Sequence, residues 1–110
     1  MKLPNGDRAV VPIEKLRDYS LNPEHEEGKH KARVFAEALG LGRDDADWLR
    51  NQLLRLAATH NCVLGKKTPF GQRYIIDATI AKTGRGATVR TVWNISPGES
   101  QPRLITCYVL

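Results

Sequence analysis

The spacing of the apolar residues changes near residue 60, and this change sets the fold class. Before that point, apolar residues recur every three or four positions, which is the period of an amphipathic helix. After it, they alternate with polar residues, as in a half-buried strand. A chain of 110 residues suits one domain, and helices followed by strands predict an α+β fold. We expect N-terminal helices packed on one face of a C-terminal antiparallel sheet of about four strands, in a single domain over residues 1–110.

Turn and cap signals place the individual elements. Pro12 opens a helix at a position where a proline loses no hydrogen bond, and Gly40 is a natural helix stop. The predicted helices are Ile13–Tyr19, Lys29–Leu39, and a third that opens at Asp44–Asp47 and ends near Thr59–Asn61. The predicted strands are Cys62–Gly65, Gln72–Ala81, Ala87–Ile95 and Arg103–Leu110, with turns at Pro69–Gly71 and Thr83–Gly86 and a longer connection over Ser96–Pro102.

The two periodicities also predict the core. Strand alternation places Ile105 in the core and turns Leu104, Thr106 and Tyr108 away from it. A register slip of one residue would reverse such an assignment. The residues expected in one core are Phe35, Leu39, Leu49, Leu53, Leu56, Ile76, Trp93 and Ile105.

Cysteine usage and the absence of a long apolar run predict a cytoplasmic protein without a membrane partner. Cys62 and Cys107 form no C-x-x-C pair, and no histidine pair stands at metal-ligand spacing. We therefore expect reduced, buried thiols, no metal site and no cofactor. No apolar run approaches the ~18 residues that cross a bilayer, and the N-terminal segment lacks the apolar stretch of a secretory signal.

The excess positive charge lies entirely in the strand-forming half. The net charge is +5. Residues 1–60 contain ten basic and ten acidic residues, whereas residues 61–110 contain seven basic residues against only Asp77 and Glu99. A polyanion such as RNA is the natural partner of such a surface. The alternative is that the charge serves solubility.

The same alternation gathers polar side chains on the open face of the sheet. Arg73, Arg90, Thr106 and Tyr108 fall on one surface. Two guanidiniums can hold phosphate oxygens and stabilise charge that develops in a transition state. A threonine hydroxyl can bond a nonbridging oxygen, and a tyrosine can stack on a base or donate its proton. The alternative is an ordinary exposed sheet face, on which arginine and threonine are common.

A second group of candidate residues precedes and enters the predicted helix Lys29–Leu39. His25 lies in a turn, where an imidazole can point into a cleft and transfer protons near neutral pH. Lys31 and Arg33 could bind phosphate. We expect His25 and at least two of the four sheet residues to line one cleft. The alternative is a solvated turn followed by a charged helix face.

Several short motifs resemble a small bacterial domain family of unknown function. They are Asn22-Pro23-Glu24-His25, Lys31-Ala32-Arg33-Val34-Phe35, Leu39-Gly40, Phe70-Gly71-Gln72-Arg73-Tyr74, Val89-Arg90-Thr91-Val92-Trp93 and Pro102-Arg103-Leu104-Ile105-Thr106-Cys107-Tyr108. Its layout resembles the barnase–EndoU–colicin–RelE group of ribonuclease toxins, which implies RNA cleavage and an antitoxin or immunity partner. Barnase-like members use a glutamate base on the sheet, and the predicted strands carry no glutamate. RelE-like members depend on basic residues and a tyrosine, which fits Arg73, Arg90 and Tyr108 better.

The sequence thus favours a toxin-like, metal-independent ribonuclease. In this hypothesis, the 2′-hydroxyl attacks the adjacent phosphate. His25, Arg90, Thr106 and Tyr108 are the catalytic candidates, and Lys31, Arg33 and Arg73 bind the RNA. Two alternatives stay open: a non-catalytic nucleic-acid-binding module, and a protein-interaction or accessory domain with a basic sheet face.

Overall fold

The computed structural model describes residues 1–110, and its first half is a layer of helices. A proline precedes the first helix, and Gly40 closes the second with a φ of 69°, a left-handed conformation that glycine adopts freely. In chain order the helical elements are a 3-10 turn Gly6–Arg8, α1 Ile13–Lys15 continued by a π-helical turn Leu16–Ser20, α2 Lys29–Leu39, a 3-10 turn Arg43–Asp45, and α3 Ala46–Thr59.

The second half is a four-stranded antiparallel meander. The strands are β1 Val63–Thr68, β2 Gly71–Lys82, β3 Arg85–Ile95 and β4 Arg103–Val109, in the order β1-β2-β3-β4. β2 and β3 are joined by two residues, Thr83 and Gly84, with φ values of 47° and 82°. Two positive φ values indicate a type I′ turn, whose twist matches that of the flanking strands. The predicted α+β architecture is confirmed, although this turn is shorter than the predicted Thr83–Gly86.

The helices cover one face of the sheet. α2 packs on β3 and β4, and α3 packs on β2. Trp93 is fully buried between the layers, where its Nε1 donates to Thr91 Oγ1 at 2.8 Å. That hydroxyl donates in turn to the Ile76 carbonyl at 2.9 Å, so the side-chain polar groups of Trp93 and Thr91 are both paired. The predicted core residues that the structure confirms are Phe35, Leu39, Leu49, Leu53, Leu56, Ile76 and Trp93.

The predicted core position of Ile105 is wrong. Leu104 is fully buried, whereas Ile105 is only half-buried. Leu104 pairs with Trp93 and Thr106 with Val92, so Ile105 is an extra residue, a β-bulge that shifts the alternation by one. Beyond the bulge, Thr106 and Tyr108 keep their predicted place outside the core.

Two further expectations concern the thiols and the membrane. Cys62 and Cys107 are both buried and free. None of the helices is both long and apolar enough to span a bilayer.

The bulge predicts a difference between two neighbouring substitutions. Leu104→Ala should lower the free energy of unfolding by about 2–5 kcal/mol, because it leaves a cavity against Trp93. Ile105→Ala should cost clearly less, since that side chain is partly in solvent. Urea unfolding of both variants measures the difference. An equal or larger loss for Ile105→Ala would contradict the bulged register.

Candidate functional site

Lys31 links the helical layer to the outer edge of the sheet. It lies on α2, and its Nζ donates to Thr106 Oγ1 on β4 at 3.0 Å. The same ammonium lies 5.1 Å from the centre of the Tyr19 ring and 5.6 Å from that of Tyr108. A cation at these distances is attracted by the π-electrons of both rings. The lysine is therefore held at a defined place rather than extended into solvent.

His25 lies on the other side of Tyr19 and caps the turn that leads into α2. Its ring meets that of Tyr19 edge-on, with 4.7 Å between the ring centres. Its Nδ1 accepts the backbone N–H groups of Glu27 and Gly28, both at 3.0 Å. Since both donors are backbone groups, Nδ1 carries a lone pair, and the proton of the neutral ring is on Nε2.

This tautomer limits the chemistry of His25. Because Nδ1 already accepts two backbone N–H groups, the outward group that the ring offers in this tautomer is the Nε2–H donor. The geometry favours a hydrogen-bond donor at this place, and the role of His25 as an acid or base stays a prediction.

The π-helical turn and a glycine bring Tyr19 to this place. The N–H of Leu21 reaches back five residues to the Leu16 carbonyl at 2.8 Å, which closes the wider turn. Gly28 lies directly against the Tyr19 carbonyl, where a Cβ atom would clash with that oxygen. Only glycine fits this approach, so the turn carrying His25 packs closely on the turn carrying Tyr19.

Arg90 forms the sheet side of the site together with Asp77. Asp77, Arg90 and Tyr108 are neighbours in one row across β2, β3 and β4. Arg90 donates from Nε and Nη2 to the two carboxylate oxygens of Asp77, each at 2.9 Å. These hydrogen bonds lower the pKa of Asp77. The pKa of Arg90 is raised, mainly by the hydrogen bonds to Asp77 and to a smaller extent by interaction with Tyr108. Arg90 is thus a permanent cation already paired with a carboxylate.

The structure brings some of the predicted site residues together and leaves others apart. We call Tyr19, His25, Lys31, Thr106 and Tyr108 the Lys31 cluster, which the Asp77–Arg90 pair adjoins through Tyr108. The single cleft expected from the sequence is divided in two. Tyr108 and Lys31 line a groove of about 270 Å³, and His25 and Tyr19 line a separate one of about 410 Å³. The Lys31–Tyr19 contact lies between them.

Arg33 and Arg73 lie outside the Lys31 cluster. Arg33 is two residues beyond Lys31 on α2, so the two side chains do not share a face of the helix. It lines a different concavity together with Lys29. Arg73 pairs in register with Asn94, four residues before Asp77 on β2.

Cys107 lies in β4 between the two outward residues of the cluster, but it adds no nucleophile. The side chain is fully buried, and burial raises the pKa of its thiol to about 12. Its Sγ lies 4.0 Å from Ser20 Oγ. A thiol that stays protonated near neutral pH is unreactive.

Sequence reasoning missed Asp77 and Tyr19 as members of the site. A two-residue turn at Thr83 and Gly84 places Asp77 directly opposite Arg90, so a correct prediction of the turn length would have predicted this pair. The predicted four-residue turn gives a different register, in which Asp77 and Arg90 are not opposite each other. For Tyr19 there was no comparable signal, because the π-helical turn departs from the helical period used to assign faces.

Comparison with protein families gives a match over nearly the whole chain. Residues 2–110 match a family described as a domain of unknown function, DUF6883. The chain belongs to this family. A comparison with curated proteins found no match.

This DUF6883 chain shares its fold with a chain from a solved bacterial complex. The similar chain comes from a "Contact-dependent growth inhibition toxin - immunity protein complex from Klebsiella pneumoniae 342". The TM-score is 0.66 with 13% sequence identity, and the match covers 94% of this chain and 95% of the other. At that identity the likeness shows the fold.

The Asp77–Arg90 pair predicts a measurable titration. The carboxyl of Asp77 should titrate below the ordinary aspartate value of about 3.9, and Arg90→Gln should return it towards that value. Because the pKa is lowered in the folded state, the stabilisation by the pair is present at neutral pH and is lost as the pH falls through the folded pKa. Carboxyl-detected NMR measures both variants. Arg73→Gln is the matched control, and an unchanged Asp77 pKa in Arg90→Gln would contradict the pair.

Proposed function

We propose that this protein is a toxin-type ribonuclease that cleaves RNA without a metal ion, using the Lys31 cluster. The observation that carries the proposal is the position of the Lys31 ammonium, which is hydrogen-bonded to Thr106 and lies near two tyrosine rings. A fixed cation beside aromatic rings suits an RNA substrate, because the ammonium can pair with a phosphate while a ring stacks on a base. The Nε2–H of His25 adds a donor on the far side of Tyr19.

The cluster would act mainly by stabilising charge. The 2′-hydroxyl oxygen attacks phosphorus, the bond to the 5′-oxygen breaks, and a cyclic phosphate and a 5′-hydroxyl result. Lys31 would bind a nonbridging oxygen of the reacting phosphate as its negative charge grows. The Nε2–H of His25, in the neighbouring groove, would bind an adjacent phosphate of the same RNA chain. The 2′-hydroxyl proton would pass to water. The departing oxygen would take a proton from Lys31, which then regains one from water.

Arg90 has a different role in this proposal from the one that the sequence predicts. Its guanidinium is bound to Asp77 through two hydrogen bonds, so it does not clamp a phosphate while that pair persists. It would instead support the Tyr108 ring beside it in the row. Thr106 would hold the Lys31 ammonium in place, and Tyr108 would stack on a base.

Two substitutions test the cluster directly. Lys31→Met should lower the rate of RNA cleavage in EDTA by about 10²–10³-fold, because a preorganised charge is lost. His25→Asn should keep the turn before α2 capped, since an asparagine side chain also accepts local backbone N–H groups. It should lose the Nε2–H donor and cleave about tenfold more slowly. Cleavage is measured as new 2′,3′-cyclic phosphate ends on purified RNA.

The controls separate catalysis from folding. Arg55→Gln removes an exposed charge from α3 and should cleave like the wild type. Circular dichroism should show all variants folded. Wild-type protein that binds RNA but makes no new ends would identify a binding module instead. A folded Lys31→Met variant with full activity would remove the cluster from the mechanism.

We further propose that a neutralising antitoxin or immunity protein accompanies this chain in the cytoplasm. The support is the fold that it shares with a chain of a toxin–immunity complex. Expression of the wild-type chain alone should then arrest growth, and Lys31→Met should relieve the arrest. Normal growth with abundant soluble wild-type protein would count against a toxin.

A further inference from the structure

The unpaired positive charge of the sheet lies mainly on one hairpin. Of the seven basic residues after residue 60, two are neutralised by ion pairs with Asp45 and Asp77. Lys66, Lys67 and Arg73, all on β1 and β2, form no ion pair. The hairpin has no carboxylate before Asp77. Its tip is therefore a local concentration of free cations.

The same hairpin displays an aromatic ring on a rigid turn. Phe70 is 77% exposed, although phenylalanine is among the residue types that are most often buried. Its N–H donates to Thr68 Oγ1 at 3.1 Å, and its carbonyl accepts from Asn94 Nδ2 at 2.9 Å. The next residue, Gly71, has a φ of 131° and lies so close to the Ile95 carbonyl that no Cβ fits. Contacts with Thr68 and with β3 thus hold the turn in place while the ring stays in solvent.

The three cations lie within a few residues of this ring. Lys67 pairs in register with Gln72, the residue before Arg73, and Lys66 lies in the bulge of β1. A Cβ built on Gly65 would lie 3.3 Å from the Cβ of Arg73, so the two strands are in close contact here. Because Gln72 and Arg73 are consecutive residues of a strand, Lys67 and Arg73 lie on opposite faces of the hairpin, and positive charge is present on both sides of the exposed aromatic residue.

We infer that the β1–β2 hairpin binds single-stranded RNA, with a base stacked on Phe70 and the flanking phosphates held by Lys66, Lys67 and Arg73. Base stacking on aromatic side chains within a basic groove is the common mode of single-strand binding. The choice of RNA rests on the proposed ribonuclease function. β1 and β4 are opposite edges of the sheet, about 14 Å apart at three strand spacings. The hairpin is therefore a second contact, separate from the Lys31 cluster.

The other exposed apolar residues of β1 do not extend Phe70 into a protein-docking patch. Val63 and Leu64 are 62% and 61% exposed. They pair with Ile75 and Tyr74, which lie on opposite faces of β2. Because their side chains are divided between two faces, they form no contiguous apolar surface with the turn.

Fluorescence anisotropy with a labelled twelve-nucleotide 2′-O-methyl RNA tests the hairpin apart from cleavage, because this oligonucleotide has no 2′-hydroxyl nucleophile. Phe70→Ala should weaken binding about tenfold through lost stacking. Lys66→Gln/Lys67→Gln should weaken it and reduce the slope of log affinity against log salt by about 1.4. Arg8→Gln/Arg55→Gln removes two exposed charges from the helical layer and should bind within twofold of the wild type.

The outcomes separate this inference from the proposed function. Hairpin-dependent binding by a protein that cleaves nothing would support the inference and contradict the ribonuclease. Folded Phe70→Ala and Lys66→Gln/Lys67→Gln variants that bind like the wild type would overturn the inference, even if RNA is cleaved. Self-association of the wild type that Phe70→Ala abolishes, without RNA binding, would overturn it in favour of a protein interface.

Discussion

The two-residue turn at Thr83 and Gly84 fixes the register on which the rest of the molecule depends. Both residues have positive φ values, and the turn joins the two longest strands, of which 72–82 and 85–95 are paired residue by residue. On the inner face this register sets Trp93 beside Tyr74, and on the outer face it sets Arg90 beside Asp77. One turn therefore decides both what the core contains and which charges meet in solvent. A slip of one residue would exchange the two faces.

Ion pairs reduce the number of cations on the basic sheet that are free to bind a partner. Formal charge assigns seven cations to the second half, but Asp77 and Asp45 neutralise Arg90 and Lys82. The cations that are left to bind a polyanion lie mainly on the β1–β2 hairpin, while the Lys31 cluster draws its ammonium from the helical layer. In the proposed function, RNA recognition and cleavage would thus be carried by opposite edges of one sheet.

The fold could be predicted from the sequence further than the site could. The change of hydrophobic period fixed the order of helices and strands, and alternation gave the faces of β2 and β3. The bulge at Ile105 could not be predicted, because Leu104 and Ile105 are both apolar and the alternation of apolar and polar residues does not show which of the two is the extra residue. The His25 tautomer depends on two backbone groups that only the folded turn brings to Nδ1. The pairing of Lys31 with Thr106 joins parts of the chain 75 residues apart, which no local pattern reports.

The position of β4 at the edge of the sheet bears on how the molecule would lose the proposed activity. β4 is bonded on one side to β3, and on its other side the parallel bridge to Val10 reaches only its first residues. Edge segments of this kind open locally at a smaller free energy than the whole domain unfolds. The end of β4 that lacks this second support carries Thr106 and Tyr108. Fraying of that end would free Lys31 from its hydroxyl partner and remove the stacking ring while Trp93 stays buried, so inactivation by heat would precede the loss of the fold.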